Sequence, residues 1–255
     1  MITTVFAKLI ASLQMSQLYG EVACQNNIVE LSVMTPESDD RPTDRDFFGL
    51  SEVARFYESC LTENGVTAQG VGWKDLDSQL IRFRQFDNVV QLERTDSVLD
   101  FGCGTGGYLT YLRESGYMGR YCGFDISGKM IETARQRHAG GVRSTFIDDG
   151  SALECAAAVI GSGIFNVKGA SSSGTWRRYI EDTLDRMWEL STDAMAFNVL
   201  SLVSDPERRS DNLYYADPAE VLRYCIQTFS PHCDLSHRYG LFDFTVSVFR
   251  SPVLV

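Results

Sequence analysis

Three glycines placed directly after an apolar segment are the first residues of this chain with a clear chemical use. The stretch 97–108 reads SVLDFGCGTGGY and contains Gly102, Gly104 and Gly106. Glycine leaves no side chain where the backbone must turn and approach a ligand closely. A helix predicted over 108–114 would direct its N-terminal amides at this turn, which suits a carboxylate or a phosphate.

Acidic side chains follow the next two predicted strands. Asp125 ends the second strand, and Asp148 and Asp149 follow the third. The first acid suits a pair of ribose hydroxyls, and one of the other two suits the amino group of an adenine. Ligands of open parallel sheets lie outside the carboxyl ends of the strands, where Gly163 and Asn198 are also expected. The pattern predicts a cofactor that contains a nucleoside.

Alternating strands and helices must position these groups. Strands are predicted around Val98 and Leu99 and over 121–126, 144–147, 156–161, 194–200, 233–236 and 242–249, and helices over 108–114, 129–138, 179–190 and 219–229. This order predicts an α/β fold, a doubly wound, mostly parallel seven-stranded sheet with an antiparallel last strand.

The first part of the chain is expected to be an N-terminal helical extension. Residues 37–46 are rich in Asp, Pro, Ser and Thr, so 1–46 are interpreted as an arm and linker and 47–255 as the main domain. Within the arm, 5–18 are interpreted either as an amphipathic helix or as a poorly ordered segment. Helices are predicted over 51–61 and within 72–83. The first carries Val53, Phe56, Tyr57 and Cys60 on one face, which either packs on the main domain or forms a lid over the ligand.

The composition of the chain indicates which kinds of molecule it can bind. The net charge of −11 argues against binding nucleic-acid phosphates, and a small-molecule partner is favoured. No membrane span or signal peptide is predicted, and seven scattered cysteines favour a reducing cytoplasmic location. His232, Cys233 and His237 lie close together in sequence, but the structural interpretation is favoured and no metal is predicted.

The glycine turn is compatible with two kinds of cofactor. Gly102, Gly104 and Gly107 satisfy the G-x-G-x-x-G pattern of dinucleotide sites, with Asp125 at about the expected distance of ~20 residues. Asp100, however, stands two residues before the first glycine, where an acid attracts an amino group rather than a pyrophosphate. An NAD(P)-dependent oxidoreductase is therefore kept as the alternative.

The motifs 98–106 (VLDFGCGTG) and 123–127 (GFDIS), with Met130, Ile131 and Ala134, resemble those of class I S-adenosylmethionine-dependent methyltransferases. The likeness extends over about 72–250. A narrower resemblance, carried by 162–166 (SGIFN) and by Gly72-Trp73, is to a bacterial branch that implies fold and cofactor but no substrate.

The resemblance implies a role for individual residues. The methionine part of the cofactor would be held by Asp100 and by the 102–106 turn, which includes Cys103. Asp125 would bind the ribose, and the adenine would contact Ile126 and either Asp148 or Asp149. The sulfonium would lie beside Gly163. Arg82 is expected either to bind the cofactor carboxylate or to be a solvated surface residue.

The implied reaction is in-line transfer of a methyl group to an O or N atom of a small molecule, through proximity, alignment and desolvation. A non-catalytic cofactor-binding module of the same fold is a further alternative. The acceptor pocket is predicted beside the last hairpin and the insertion 201–215. Its predicted lining is Phe165, Asn166, Asn198, Tyr214, Tyr215 and Tyr239, with His237 either a general base or hydrogen-bonded within the hairpin.

Overall fold

A seven-stranded sheet in the order β3-β2-β1-β4-β5-β7-β6 forms the centre of the molecule. The computed structural model describes residues 49–252. Strand β7 runs antiparallel to both of its neighbours, and the other pairs are parallel. This confirms the predicted doubly wound sheet with its antiparallel last strand. The predicted arm, linker and helix over 5–18 lie outside the described residues.

The strands are β1 (Ser97–Phe101), β2 (Arg120–Phe124), β3 (Ser144–Ile147), β4 (Ala156–Gly161), β5 (Ser191–Leu200), β6 (Cys233–Ser236) and β7 (Asp243–Phe249). The α-helices are α1 (Leu50–Asn64), α2 (Leu76–Arg84), α3 (Gly107–Glu114), α4 (Gly128–Arg137), α5 (Ser173–Leu190) and α6 (Pro218–Thr228). None of the helices in this part of the chain is long and apolar enough to cross a membrane.

Helices bury the sheet on both faces. Every residue of β4 is buried, as expected for a parallel strand covered on two sides. One core cluster contains Trp176, Leu184 and Met187 of α5. The other contains Leu109 and Leu112 of α3 together with Ile131 and Ala134 of α4. These helical residues recur every three or four positions, so each helix turns one apolar stripe to the sheet.

Polar caps begin several helices at the carboxyl edge of the sheet. Ser127 Oγ accepts a hydrogen bond from the Met130 amide and begins α4, as predicted, and Asp217 caps α6. Helix α5 begins at Ser173, six residues before the predicted start. The reason is that Ser172 caps the Thr175 amide, and the added turn buries Trp176.

Candidate active site

A cavity of about 680 Å³ opens at the carboxyl edge of the sheet. Its walls come from α1, α2, the ends of β1, β2 and β4, the segment between β5 and α6, and the turn between β6 and β7. The edge where the sequence placed the acids and the glycine turn is therefore concave, as a small-molecule site requires.

The glycine turn after β1 follows a backbone path that other residues rarely adopt. Gly102, Gly104 and Gly106 have φ of 81°, 53° and 75°. A Cβ on Gly102 would lie 2.2 Å from Cγ2 of Ile164, so the close approach of the loop after β4 also requires glycine there.

The amides of this turn donate hydrogen bonds within the protein, whereas the sequence predicted that they would bind a ligand. The Gly102 and Cys103 amides donate to the Phe124 carbonyl, and the Gly104 amide donates to Oδ2 of Asp125 at 2.9 Å. These three amides therefore hold the turn against β2, and the predicted anion cradle is wrong for them.

Asp125 lies at the end of β2 in the cavity wall, as predicted. Oδ1 accepts from the Ser127 amide and Oδ2 from the Gly104 amide, both at 2.9 Å. Burial raises the pKa of this carboxyl, and nearby Glu58 adds to the rise. Because a carboxylate oxygen accepts more than one hydrogen bond, Asp125 keeps acceptor capacity toward the cavity.

Asp100 lies at the floor of the cavity and is almost fully buried. The Tyr121 hydroxyl donates to its Oδ2 at 2.5 Å. Burial is the largest influence and raises the pKa of Asp100 to about 7, although the bond from Tyr121 lowers it. A cation in the cavity would favour the ionised form of this carboxyl.

Sequence reasoning missed two residues of the cavity wall, Tyr108 and Gln79. Tyr108 is 2% exposed, and within the described residues its hydroxyl is a buried polar atom without a hydrogen-bond partner. The Gln79 amide lines the cavity beside Gly107, where an added Cβ would be 3.3 Å from Nε2. An aromatic side chain in the first turn of a helix resembles an ordinary core residue, so only the unpartnered hydroxyl identifies Tyr108.

Arg82 lines the cavity but is already engaged. Nε and Nη2 donate to the Asp243 carboxylate at 2.5 and 2.7 Å, and Nη1 donates to the Ser78 carbonyl. The guanidinium also lies 4.2 Å from the ring centre of Trp73. The solvated-surface alternative is wrong because Arg82 is 8% exposed.

The loop after β4 is held by Asn198. Asn198 is fully buried, and Oδ1 accepts from the Gly163 amide at 2.8 Å, while Nδ2 donates to Ser162 Oγ at 3.4 Å. Gly163 lines the cavity with φ of 76°, and a Cβ there would lie 2.6 Å from the Trp73 ring. Asn198 therefore positions the loop after β4, and its predicted contact with a substrate stays a prediction.

Phe165, predicted to line the acceptor pocket, lies in the core in this structure. It is fully buried away from the cavity, packed edge to face on Phe197, and its carbonyl accepts from the Trp176 indole at 2.8 Å. The left-handed turn at Gly163 sends this side chain into the core. Asn166 does line the cavity, and its Oδ1 accepts from the Leu200 amide at 3.3 Å.

The two tyrosines of the insertion lie outside the cavity lining. Tyr214 packs against the core cluster of α5, and the Tyr215 hydroxyl accepts from the Ser210 amide at 3.0 Å. The insertion instead reaches the cavity with Arg208, Asn212 and Leu213. The insertion thus lines the carboxyl edge through these three residues, and the substrate contacts of Tyr214 and Tyr215 stay a prediction.

The last hairpin also reaches the cavity through residues other than those predicted. Its turn contributes Gly240, Leu241, Phe242 and Asp243 to the cavity, as its predicted return to this edge requires. The Tyr239 hydroxyl instead pairs with Thr245 Oγ1 at 3.1 Å, and His237 packs edge to face on Phe244 with ring centres 5.9 Å apart. Neither side chain is in the cavity lining. The role of His237 as a base therefore stays a prediction, as does its alternative of a hydrogen bond within the hairpin.

The acids after β3 stand at the periphery. Asp148 forms an ion pair with Arg135 at 3.6 Å, and Asp149 Oδ1 accepts from the amide and hydroxyl of Ser151. Both lie outside the cavity lining, whereas Ile126 and Cys103 are within it. Among residues 49–252, no group of three or more His, Cys, Asp or Glu side chains is arranged to hold a metal ion.

Helix α1 both packs on the domain and covers the cavity. Val53 is buried in the core cluster and lines the cavity together with Leu50, Phe56 and Tyr57. The Ser127 hydroxyl donates to Glu58 Oε1 at 2.7 Å, which fastens α1 to the start of α4. The two alternatives for this helix are therefore compatible.

The strand order, with the glycine turn after β1 and the acid after β2, is that of the class I S-adenosylmethionine-dependent methyltransferase fold. A family described as "Methyltransferase domain" matches residues 98–159. The protein named "Putative methyltransferase Rv1506c" from Mycobacterium tuberculosis (strain ATCC 25618 / H37Rv) is 37% identical over 159 residues, which are 60% of this chain and 92% of that relative. The chain belongs to this methyltransferase family, and its methyl donor is S-adenosylmethionine.

Solved structures agree on the fold. Magnesium protoporphyrin IX methyltransferase from Synechocystis PCC 6803, determined with bound S-adenosylmethionine, has a TM-score of 0.56 at 16% identity, covering 84% of this chain and all of that chain. DhpI in complex with S-adenosylhomocysteine has a TM-score of 0.53 at 14% identity, covering 80% of this chain and 98% of that chain.

Proposed function

We propose that the chain transfers a methyl group from S-adenosylmethionine to an O or N atom of a small-molecule acceptor, by in-line displacement in the 680 Å³ cavity. A concave, largely apolar cavity of this size suits a cofactor and a small acceptor together. One structurally similar protein is, by its name, a magnesium protoporphyrin IX methyltransferase, which supports an acceptor of this class. The SGIFN motif at 162–166 further favours the bacterial branch that carries it.

The buried, unpartnered Tyr108 hydroxyl is the observation that carries the proposal. Leaving such a group unsatisfied costs about 1–3 kcal/mol, which a ligand atom in the cavity would recover. With Gln79 it is suited to the carboxylate of the methionine moiety, the role that the sequence assigned to Arg82. Asp100 at the floor of the cavity is suited to the ammonium of the same moiety.

The remaining contacts follow the carboxyl edge. Asp125 would accept from the ribose hydroxyls, Ile126 would lie against the adenine, and Gly163 would lie beside the sulfonium. Asp148 and Asp149 remain a proposal for the adenine edge, and they would reach it only if the side chains reorient from Arg135 and Ser151.

When bound, S-adenosylmethionine supplies a methyl group on a positively charged sulfur. The residues of this chain then have to orient the two ligands and exclude water. Asn198 fixes the Gly163 backbone, and Trp73 forms the wall against it. Helix α1, as the proposed lid of the domain 47–255, covers the opposite side.

We also propose that this domain acts in the cytoplasm. Cys60, Cys103, Cys122, Cys225 and Cys233 are free thiols, as is usual in a reducing compartment. The arm and linker 1–46 are proposed as a separate segment of the chain.

Calorimetry tests the cofactor part of the proposal. S-adenosylhomocysteine should bind with a stoichiometry of about one, NAD should not bind, and Tyr108→Phe should weaken the affinity. Tyr239→Phe is the matched control, because its hydroxyl bonds to Thr245 outside the cavity lining. Absence of S-adenosylhomocysteine binding, or binding of NAD alone, would refute the proposal. Transfer of labelled methyl to a panel of small alcohols, acids and amines then tests the reaction.

A further inference from the structure

The part of the cavity wall built by the segment before α2, the end of β5, the segment after β5 and the turn between β6 and β7 has a mixed chemical character. We call it the acceptor half and define it by Trp73, Leu200, Arg208, Leu213 and Phe242. Four of these side chains are apolar, and two of those four are aromatic. Such a wall fits a flat or apolar molecular body rather than a sugar or a peptide backbone.

The acids that line the cavity are all engaged within the protein. Asp100 accepts from Tyr121, Asp125 accepts from two backbone amides, and Asp243 is neutralised by Arg82. Among the described lining residues these are the only carboxylates. The acceptor half therefore presents no uncommitted negative charge to a ligand.

Two cations of the cavity lining remain available, in a chain whose net charge is −11. Lys74 lies 3.8 Å from Asp75, and Arg208 lies 3.6 Å from Asp205, with the side chains of both cations largely exposed. Exposed ion pairs of this kind contribute only about 0–1 kcal/mol, so a ligand can compete for either cation. The Arg208 guanidinium also lies 5.6 Å from the ring centre of Phe242. A cation is thus placed over an apolar wall at the cavity mouth.

We propose that the methyl acceptor is an amphiphilic anion, a small apolar or aromatic body carrying a carboxylate or phosphate group. Arg208 binds the anionic group, with Lys74 adding positive charge, while the body lies against Trp73 and Phe242. The end of the body opposite the anion then faces Gly163. A guanidinium matches the two oxygens of either group in a planar, two-bond arrangement. This proposal rests on the methyltransferase function proposed above.

The test uses protein saturated with S-adenosylhomocysteine, titrated by calorimetry with 1-naphthoate, 1-naphthyl phosphate and the uncharged 1-naphthamide. One or both anions should bind at least tenfold more tightly than the amide, and their relative affinities distinguish carboxylate from phosphate. Arg208→Gln should weaken anion binding about tenfold and leave amide binding unchanged. Lys74→Gln should weaken it by a smaller factor.

Arg186→Gln is the matched control, because Arg186 forms a similar exposed pair three residues from Glu189, outside the cavity lining. Its anion affinity should stay within twofold of the wild type. Equal binding of acid and amide, no binding of either anion, or an Arg208→Gln variant that binds like the wild type would overturn the proposal. Loss of S-adenosylhomocysteine binding itself would instead refute the proposed function, so the two failures are distinguishable.

Discussion

The guanidinium of Arg82 and the carboxylate of Asp243, 161 residues apart in the chain, form two hydrogen bonds of 2.5 and 2.7 Å inside the cavity wall. The pair fastens α2 to the start of β7. Arg82→Ala should destabilise the fold by about 3–5 kcal/mol, because it leaves the Asp243 carboxylate buried without its partner. Urea denaturation measures this loss, and replacing both residues with apolar ones should restore part of it. A loss below 1 kcal/mol would show that the pair is not formed.

Tyr108→Phe should separate binding from stability. Removing a buried hydroxyl that has no partner should leave the free energy of unfolding of the ligand-free protein unchanged or raise it by about 1 kcal/mol. The affinity for S-adenosylhomocysteine should fall about 5- to 20-fold if the hydroxyl donates to the ligand. Urea denaturation and calorimetry on the same preparation check both expectations. An unchanged affinity would remove Tyr108 from the cofactor contacts.

Asp125→Ala should weaken S-adenosylhomocysteine binding by about 1–3 kcal/mol, because the ribose hydroxyls lose a charged acceptor. Asp148→Ala tests the proposed adenine contact in parallel, and Asp193→Ala is the control, since Asp193 bonds to Thr192 and stands outside the cavity lining. Calorimetry at constant salt measures all three, and circular dichroism verifies that the variants are folded. If Asp148→Ala has the larger effect, the adenosine end of the ligand contacts β3 more closely than β2.

Gly163→Ala should disturb the wall between the two halves of the cavity. The added Cβ would lie 2.6 Å from the Trp73 ring at a backbone φ of 76°, so the indole has to move. We expect a loss of about 1–2 kcal/mol in stability and a shifted tryptophan emission spectrum. The shift should vanish in a Trp73→Phe background, where Trp176 and Trp188 remain. A shift that persists there would place the disturbance elsewhere.

Asp100 should make stability depend on pH. Its folded pKa of about 7 lies above the ordinary value of 3.8, so the folded state binds the additional proton between these values. Stability from this group is therefore greatest at low pH and is lost as pH rises through about 4 to 7. Asp100→Asn should match the wild type near pH 4 and exceed it in free energy of unfolding at pH 8. Urea denaturation across this range checks the crossover, and a constant difference would contradict the shifted pKa.

The succession of strands and helices along the chain and the positions of the strand ends could be predicted from the sequence, because both follow from local patterns. The full order of neighbouring strands in the sheet does not follow from such patterns. The apolar run of β4 and the caps Ser127 and Asp217 needed only neighbouring residues. The acid that ends β2 was accessible for the same reason, since the end of a parallel strand determines the edge at which Asp125 lies.

The side chains that line the cavity were harder to predict from the sequence. Phe165 and Asn198 lie near the ends of strands that reach the predicted edge, but both side chains lie outside the cavity lining. The left-handed turn at Gly163 is held by a hydrogen bond to Asn198 on another strand, which no local pattern indicates. The pairing of Arg82 with Asp243 spans nearly two thirds of the chain, so no spacing rule indicates it. For Tyr108, the residue type alone favours the core.

Ser127 bonds both to the acid after β2 and to the helix that covers the cavity. Its amide donates to Asp125, and its hydroxyl donates to Glu58 of the helix that covers the cavity. A second bond, from Lys129 Nζ to Thr62 Oγ1, fastens the same helix to α4. Withdrawing α1 to admit or discharge a ligand therefore breaks two side-chain hydrogen bonds next to the acid proposed to hold the ribose. The residence time of the cofactor and the opening frequency of this helix are in this way linked through one serine.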